Sequence, residues 1–293
     1  MVDTGYPTNT GNIVQRGEPP VVLEKKVETA ANMYPGRLVK RGTTDFDAVV
    51  GDAIAPPTGW LGYEHTSGSY RKDAKSTIQT INDYVAVLSG SGFAVSAKLA
   101  AGFNATKGDK LCNWTAGQVA PCAIVHGSIA LKVPYTKKTS EFDTTIDLPS
   151  GMIVHDAFVY SVVADASGTI DIGILSSESG GDADGFLDGE ALAATGWVAH
   201  NMVDATAANI TLGLLLDEVQ IKDATSTPVY TPIMQHHKCD GTATSLSYTT
   251  SDHTQSGYFY VLVSSPGLEI VGKAAETVDA TAAAADIVVE SAL

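Results

Sequence analysis

The chain has 293 residues, and its 18 Lys and Arg against 33 Asp and Glu give a formal net charge of −15. This charge argues against a protein that binds nucleic acid by neutralising phosphates, because no excess of cations is available to release counterions. The hydrophobic content of 44% is too high for a disordered chain, and the length favours two globular domains over one.

The first 33 residues are predicted to form an extended arm outside any core. Pro19-Pro20 interrupts this segment, and its one β-forming stretch, VVLEKKV at residues 21–27, has no neighbouring strand in the sequence. An unpaired strand gains backbone hydrogen bonds when it adds to a sheet edge on another chain. The residues of this arm that are expected to bind a partner are Val21, Val22, Leu23, Lys25, Lys26 and Val27.

The rest of the chain is predicted to be all-β. Glycines and prolines punctuate short runs rich in Val, Ile, Thr and Tyr, which is typical of strands joined by turns. In residues 84–99, YVAVL and FAVSAKL flank SGSG and predict a hairpin. In residues 152–175, MIVHDAFVYSVV and TIDIGIL flank DASG and predict a second hairpin. Near the C-terminus, YFYVLV and LEIV flank SSPG and predict a third strand pair.

The first strand of the second predicted hairpin carries apolar residues on both faces. Val154, Phe158 and Tyr160 fall on one face, whereas Ala157 and Val159 fall on the other. A strand that is apolar on both faces is typical of the centre of a sheet that is covered on two sides. We therefore expect this segment to be a central, doubly covered strand.

The predicted domain organisation has four parts. Residues 134–147 are polar and weakly patterned between two β-rich blocks, which places a domain junction there. The arm at 1–33 is therefore followed by β domains at 34–135 and 136–273. An Ala-rich acidic tail at 274–293 is expected to be either disordered or a strand that depends on a partner.

The sequence contains no catalytic motif, so we expect no enzymatic activity. Residues 267–274 match the spacing of a phosphate-binding loop except at the last position, where Ala274 lacks the hydroxyl that binds Mg²⁺. The densest group of soft metal ligands is His236, His237 and Cys239. Because adjacent residues of a strand point to opposite faces, binding of one metal ion by both histidines is disfavoured, and a solvent-exposed loop is the preferred interpretation.

An acidic, Gly-rich loop offers a candidate Ca²⁺ site. Its hard oxygen ligands lie close together in the sequence, as Ca²⁺ requires, although their spacing is not that of an EF-hand loop. The alternative is an acidic surface turn in an already acidic protein. No other cofactor is indicated. The candidate ligands are Asp182, Asp184, Asp188 and Glu190.

The sequence predicts neither membrane insertion nor export. It has no apolar run of roughly 18 residues, the length that a bilayer-spanning helix needs. The N-terminus lacks a basic start and an apolar segment of signal-peptide length. Synthesis in a host cytoplasm is therefore expected. The chain has three cysteines, Cys112, Cys122 and Cys239, which are too few for a disulfide scaffold.

Several pieces in residues 20–130 carry a family resemblance. They are a Pro35-Gly36 strand entry, a Gly-Trp-Leu-Gly turn at 59–62, the Gly-flanked segment 84–99 and the ending LAAGFNATKGDKL at 99–111. In this order they resemble the capsid decoration, or cement, proteins of tailed bacteriophages, the lambda-type head decoration family. Residues 150–197 are similar to β-rich modules appended to phage virion proteins.

The resemblance implies a structural role on a virus particle. Residues 34–135 would form a small, β-tulip-like barrel, and residues 136–273 a protruding β-sandwich. Decoration proteins of this type form homotrimers at threefold positions on the outside of an icosahedral head. The implied partners are the major capsid protein and further copies of this chain, with neither nucleic acid nor membrane. The arm would reach onto the shell.

A second hypothesis is an adhesin or head-fibre module that binds glycans on the host surface. Three tryptophans, Trp60, Trp114 and Trp197, are the candidates for the flat stacking surface of such a site. The alternative for each is simple packing in a turn next to glycine. Burial of the tryptophans would remove the main support for this hypothesis.

Overall fold

The computed structural model describes residues 13–64, 78–125, 128–199, 212–213, 215–216, 236–242, 244–251 and 254–293. These residues form strands and one short 3-10 helix, Thr115–Gly117, so the all-β prediction is confirmed. Over the described ranges, no helix has the length and apolar character that a membrane crossing requires. The strands are β1 (Val14–Gly17), β2 (Val21–Val27), β3 (Leu38–Arg41), β4 (Asp47–Val50), β5 (Gly59–Glu64), β6 (Tyr84–Ser89), β7 (Ser91–Leu99), β8 (Asn104–Ala105), β9 (Lys110–Asn113), β10 (Val119–Val125), β11 (Ser128–Tyr135), β12 (Phe142–Asp147), β13 (Ile153–Val163), β14 (Thr169–Ile174), β15 (Leu187–Ala191), β16 (Gly196–Ala199), β17 (His237–Lys238), β18 (Ser245–Thr250), β19 (Ser256–Ser264), β20 (Ile270–Ala274), β21 (Val278–Asp279) and β22 (Ala285–Ala292).

The chain divides into two compact units, each built from segments that are distant in sequence. Unit 1 comprises Met1–Ala100, Asn104–Pro121 and Pro266–Leu293, and unit 2 comprises Ala101–Phe103 and Cys122–Ser265. This division differs from the predicted linear one, because the C-terminal strands return to the unit that contains the N-terminal strands.

Unit 1 contains a closed barrel of five strands in the order β2-β4-β3-β5-β6. The predicted small barrel is therefore present. Its interior is lined by apolar side chains from every strand of the barrel and from the loop after β2. The buried members of this core are Val27, Met33, Val39, Ala48, Leu61, Val85 and Val87.

Strand β2 is the segment predicted to be an arm, and it has a partner within the chain. It pairs antiparallel with β6 from Val21 to Lys26, and parallel with β4 at Lys26 and Val27. The prediction of an unpaired arm is wrong for residues 21–27, because the partner strand lies far along the chain where adjacency in sequence does not reveal it. Residues 1–12 of the predicted arm lie outside the described residues.

The second sheet of unit 1 has the order β1-β7-β22-β20-β9-β10 and includes the C-terminus. Strand β22 lies between β7 and β20, and its Ile287, Val288 and Val289 are buried. The predicted disordered or partner-dependent tail is wrong, because this apolar stretch finds two partner strands in its own unit. Trp60 of the barrel donates from Nε1 to Ser291 Oγ at 3.1 Å, which ties β22 to the barrel.

Unit 2 is a β-sandwich. One of its sheets has the order β11-β19-β13-β16, with β17 also pairing with β13, and the other has the order β12-β18-β14-β15. Their inner faces meet at Tyr248 of β18, whose ring lies 5.8 Å from that of Phe259 in β19 and 6.4 Å from that of Tyr135 in β11. The predicted sandwich is confirmed.

The predicted hairpins place strands correctly but pair them wrongly. Strand β6 belongs to the barrel and β7 to the second sheet of unit 1, whereas β13 and β14 belong to opposite sheets of unit 2. Strand β19 lies in unit 2 and β20 in unit 1. The connectors of the first two predicted hairpins therefore carry the chain from one sheet to another, whereas β19 and β20 are simply not paired with each other. Gly90 between β6 and β7 has a φ of 107°, a left-handed conformation that favours glycine.

Strand β13 is central in its sheet but is covered on only one face by described residues. It pairs with β19 on one side and with β16 and β17 on the other. Val154, Ala157 and Val159 are buried, whereas Tyr160 and Val162 on the outer face are exposed. A bulge between Val154 and Asp156 shifts the alternation. The expected cover on both faces is therefore not found among the described residues.

Candidate binding surfaces

Unit 1 exposes a group of large apolar side chains around strand β2, which we call the barrel surface. Their exposed fractions run from 36% at Leu23 to 79% at Phe46. Monomeric proteins seldom expose several such side chains together unless the surface binds something. The members of the barrel surface are Val21, Val22, Leu23, Phe46, Ile81 and Tyr84.

The predicted partner-binding residues of β2 divide into exposed and enclosed ones. Val21 is 61% exposed and Val22 is 55% exposed. Because adjacent residues of a strand point to opposite faces, both faces of β2 are uncovered at this end. Lys25 donates from Nζ to the carbonyl of Asp45, and Lys26 is half-buried. Val27 lies inside the barrel core and is not available to a partner.

Phe46 and Tyr84 flank the other end of the same strand. The carbonyl of Phe46 accepts a hydrogen bond from Lys26 N at 2.8 Å on the β4 side, and Tyr84 lies opposite Lys26 on the β6 side. The strand that carries Val21, Val22 and Leu23 is thus held by backbone pairing with β6. A partner that covers this end of β2 would meet aliphatic side chains on a paired strand.

The three tryptophans have different environments. Trp60 and Trp114 are buried, with 0% and 2% exposed, whereas Trp197 is 62% exposed. Two of the three proposed glycan-stacking residues are therefore packing residues. Support for glycan binding rests on Trp197, which β16 places directly opposite Tyr160 of β13.

Trp197 belongs to a cluster of four aromatic rings on the outer face of unit 2, which we call the aromatic platform. The Trp197 ring lies 5.0 Å from those of Tyr160 and Tyr260, and 5.5 Å from that of Phe158. Phe158 and Tyr260 stack at 5.4 Å with 5° between their planes. Such pairs stabilise one another beyond the area that they bury.

A cation extends this face beyond the platform. Lys132 of β11 lies with Nζ 4.3 Å from the ring centroid of Tyr258, a cation–π contact. Tyr258 and Tyr260 alternate along β19 and share its outer face with the platform. The surface therefore offers flat rings, phenolic hydroxyls and a positive charge, which are the groups that bind a ligand with both apolar and hydroxylated faces.

The structure places the predicted acidic residues on the β14–β15 loop and on β15, and adds Asp171 of β14 to them. Asp171 accepts a hydrogen bond at Oδ1 from Gly189 N at 2.7 Å. Asp184 and Asp188 are exposed, whereas Glu190 is buried. The proximity of Asp171 to this loop depends on the pairing of β14 with β15, so it cannot be inferred from the order of residues alone.

The pKa values of three carboxyl groups in this cluster are raised by hydrogen bonding, burial and the charges of neighbouring carboxylates. A hydrogen bond with Asp184, burial and the Asp184 charge raise the pKa of Asp182 to about 6. Burial and the neighbouring Asp184 charge raise the pKa of Asp188, and burial with the Asp188 and Asp184 charges raises that of Asp171. A bound cation would relieve this repulsion.

Metal binding at the acidic loop remains a prediction. Within the ranges that the structure describes, no three or more His, Cys, Asp or Glu side chains are grouped as a metal site. The three cysteines, Cys112, Cys122 and Cys239, are buried and free, and burial raises the pKa of Cys239 to about 11. The Cys239 thiol therefore remains protonated at neutral pH.

The sequence contains a signal for the platform besides its tryptophans. Phe158 and Tyr160 alternate on one strand, and Tyr258 and Tyr260 alternate on another, so each pair shares a face. The sequence does not show the pairing of β13 with β19 and β16, which brings the two faces together.

Comparison of the chain with protein-family models and with curated proteins finds no match.

Proposed function

We propose that this protein is a structural component of a phage particle. In this proposal it binds the outside of an icosahedral head as a homotrimer at threefold positions and stabilises the shell. The observation that carries the proposal is the barrel surface, on which Val21, Val22 and Leu23 are exposed although they belong to a well-paired strand. The resemblance of residues 20–130 to head decoration proteins agrees with it.

The energetics of such a contact are favourable. Partial burial of an exposed valine or leucine contributes roughly 1 kcal/mol, and a β-branched side chain on a strand has little rotamer freedom to lose. Three copies that bind together add their contacts through effective concentration. A protein that binds only the assembled lattice then shifts the equilibrium against dissociation. The net charge of −15 suits an outer surface that does not contact packaged DNA.

The proposal is tested by co-sedimentation with undecorated heads assembled from the major capsid protein of the same virus. We expect saturable binding by the wild type and at least a tenfold weaker affinity for Val22→Glu, because the charge would have to be desolvated in the contact. Ile124→Glu is the matched control, since Ile124 is 52% exposed against 55% for Val22 but lies in unit 2. Wild-type binding by Val22→Glu would contradict the role of the barrel surface.

The homotrimer is tested separately by light scattering and by imaging of decorated heads. We expect trimers at threefold positions on the head, formed either in solution or on the shell. Single copies bound away from threefold positions would contradict the trimer. They would leave the binding of heads by the barrel surface intact, so the two parts of the proposal fail independently.

A second candidate function is supported by the aromatic platform. An adhesin or head-fibre module would use Trp197 and its neighbouring rings, of which that of Tyr160 lies 5.0 Å away, to stack on a sugar ring. A glycan array of host-surface saccharides is the test. We expect any specific binding to fall at least tenfold in Trp197→Ala and to persist in Val22→Glu. The absence of saccharide binding by the wild type would contradict this function.

A further inference from the structure

The structure brings together two histidines that are distant in sequence. Val154 of β13 pairs with His237 of β17, so His236, the residue immediately before β17, lies opposite His155. Nδ1 of His155 lies 3.1 Å from Nδ1 of His236. The ring centroids are 4.4 Å apart and the planes are nearly perpendicular, at 77°.

We propose that His155 and His236 chelate one divalent transition-metal ion, of the borderline class that includes Cu²⁺, Ni²⁺ and Zn²⁺, through their Nδ1 atoms. Metal–imidazole bonds of about 2.0–2.1 Å, at angles between square-planar and tetrahedral, hold two ligand nitrogens about 2.9–3.4 Å apart. The observed separation of 3.1 Å lies within this range. Imidazole is a good ligand for these ions and a poor one for Ca²⁺ or Mg²⁺.

A second hydrogen bond orients His155 for this role. Its Nε2 lies 2.7 Å from Ser264 Oγ on β19. Metal binding selects the tautomer in which Nε2–H donates to this hydroxyl, which leaves the lone pair of Nδ1 free for the metal. Metal-binding histidines usually donate their other ring N–H to a neighbouring acceptor in this way.

Chelation requires both imidazole rings to be neutral, because the lone pair of each Nδ1 atom binds the metal. Each neutral ring would then carry its one N–H at Nε2, so the proton shared between the two Nδ1 atoms would move to Nε2 of His236.

The adjacent His237 is not a third ligand. It lies on the opposite side of the strand, where its ring is 5.7 Å from that of Phe186. The described residues contain no cluster of three or more metal-ligating side chains. Among the described residues, the proposed site therefore has two protein ligands, which leaves coordination positions for water. Its metal would also strengthen a short ladder, because β17 pairs with β13 only at Lys238 and His237.

The test is a metal titration of the purified chain, read by thermal unfolding and by electron paramagnetic resonance of the Cu²⁺ complex. We expect one equivalent to raise the melting temperature by several degrees, with Cu²⁺ binding tighter than Ni²⁺ or Zn²⁺. The Cu²⁺ spectrum should show splitting from two nitrogens. His236→Ala should abolish the temperature shift, and His155→Ala should do the same. EDTA should reverse it.

The control is His237→Gln, which changes the adjacent histidine on the other face and should keep the metal-dependent shift. His236 is exposed, so the His236→Ala variant retains the fold even if His155→Ala does not. A shift that persists unchanged in His236→Ala would overturn the proposal, as would the absence of stoichiometric binding by the wild type. Neither outcome bears on head binding by the barrel surface.

Discussion

The barrel surface of unit 1 and the aromatic platform of unit 2 both expose apolar side chains, but their chemistry differs. The barrel surface begins with Val21, Val22 and Leu23, which have no polar atoms in their side chains. The platform consists of rings that already contact one another, with phenolic hydroxyls at its edge. An aliphatic surface gains only by excluding water, which a protein partner does well. Stacked rings offer a preorganised flat face, which suits a smaller ligand.

The largest expected effect concerns the two kinds of tryptophan. Trp60 is fully buried and bonded to Ser291, so Trp60→Ala should lower the free energy of unfolding by about 3–5 kcal/mol. Trp197→Ala should change it by less than about 1 kcal/mol, because Trp197 is 62% exposed. Urea denaturation measures both. An equal loss in the two variants would mean that the platform is a structural element and not a binding surface.

The next largest expected effect is a loss of binding that differs between variants of the two surfaces. Val22→Glu should weaken head binding at least tenfold, about 1.4 kcal/mol, and leave saccharide binding unchanged. Trp197→Ala should have the converse pattern. Parallel sedimentation and glycan-array measurements on both variants provide the comparison. Loss of head binding in Trp197→Ala would show that the platform, and not the barrel surface alone, contacts the shell.

A smaller effect concerns the acidic loop of unit 2. The pKa of Asp182 is raised from 3.8 to about 6, so the folded state binds more protons than the unfolded state between these values. Stability is therefore lost as the pH rises through this window. Asp182→Asn should stabilise the protein by up to about 1 kcal/mol at pH 7, since exposure to solvent reduces the effect, and should have none below about pH 4. Denaturation at several pH values tests this.

Addition of Ca²⁺ sharpens the same experiment. If the loop binds Ca²⁺, the ion should raise the melting temperature of the wild type at pH 7 and not that of Asp182→Asn. A chelator should reverse the rise. An unchanged melting curve with and without Ca²⁺ would leave the cluster as an acidic surface turn.

The smallest expected effect is a loss of stability on substitution of Asp52 in unit 1, opposite in sign to the gain expected for Asp182→Asn. Burial raises the pKa of Asp52, but hydrogen bonds from Lys40 Nζ and from the N–H groups of Ala55 and Ile54 outweigh it and lower the pKa below 3.8. The stability from this carboxylate is present above pH 3.8 and is lost as the pH falls through the lowered value. Asp52→Asn should cost about 0.5–1 kcal/mol at pH 7. A stabilising Asp52→Asn would contradict this difference between the units.

The sequence predicted local structure better than long-range pairing. Alternating apolar residues and Gly-bearing connectors located strands such as β6, β7, β13 and β14. The pairing of those strands was missed, because a connector such as Gly90 can turn the chain into a hairpin or send it to another sheet with the same residues. Strand β2 looked unpaired for the same reason: its partner, β6, is remote in sequence.

The candidate sites were likewise predictable only where they depend on local sequence and not on the pairing of distant strands. The sequence predicts that β2 is a free, partner-binding arm; the strand is paired and its Val21 and Val22 are exposed, and partner binding stays a prediction. The aromatic platform and the His155–His236 pair each require a register between distant strands. Hydrophobic patterning fixes which face of a strand a residue occupies. It does not identify the strand that will lie beside it.

The most direct test of the central claim is hydroxyl-radical footprinting of the free and the head-bound protein. This method reports the solvent exposure of individual side chains. We predict that labelling of Val21, Val22 and Leu23 falls several-fold on binding to undecorated heads, whereas labelling of Trp197 is unchanged. Unchanged labelling at Val21–Leu23 in protein that is bound to heads would contradict the account.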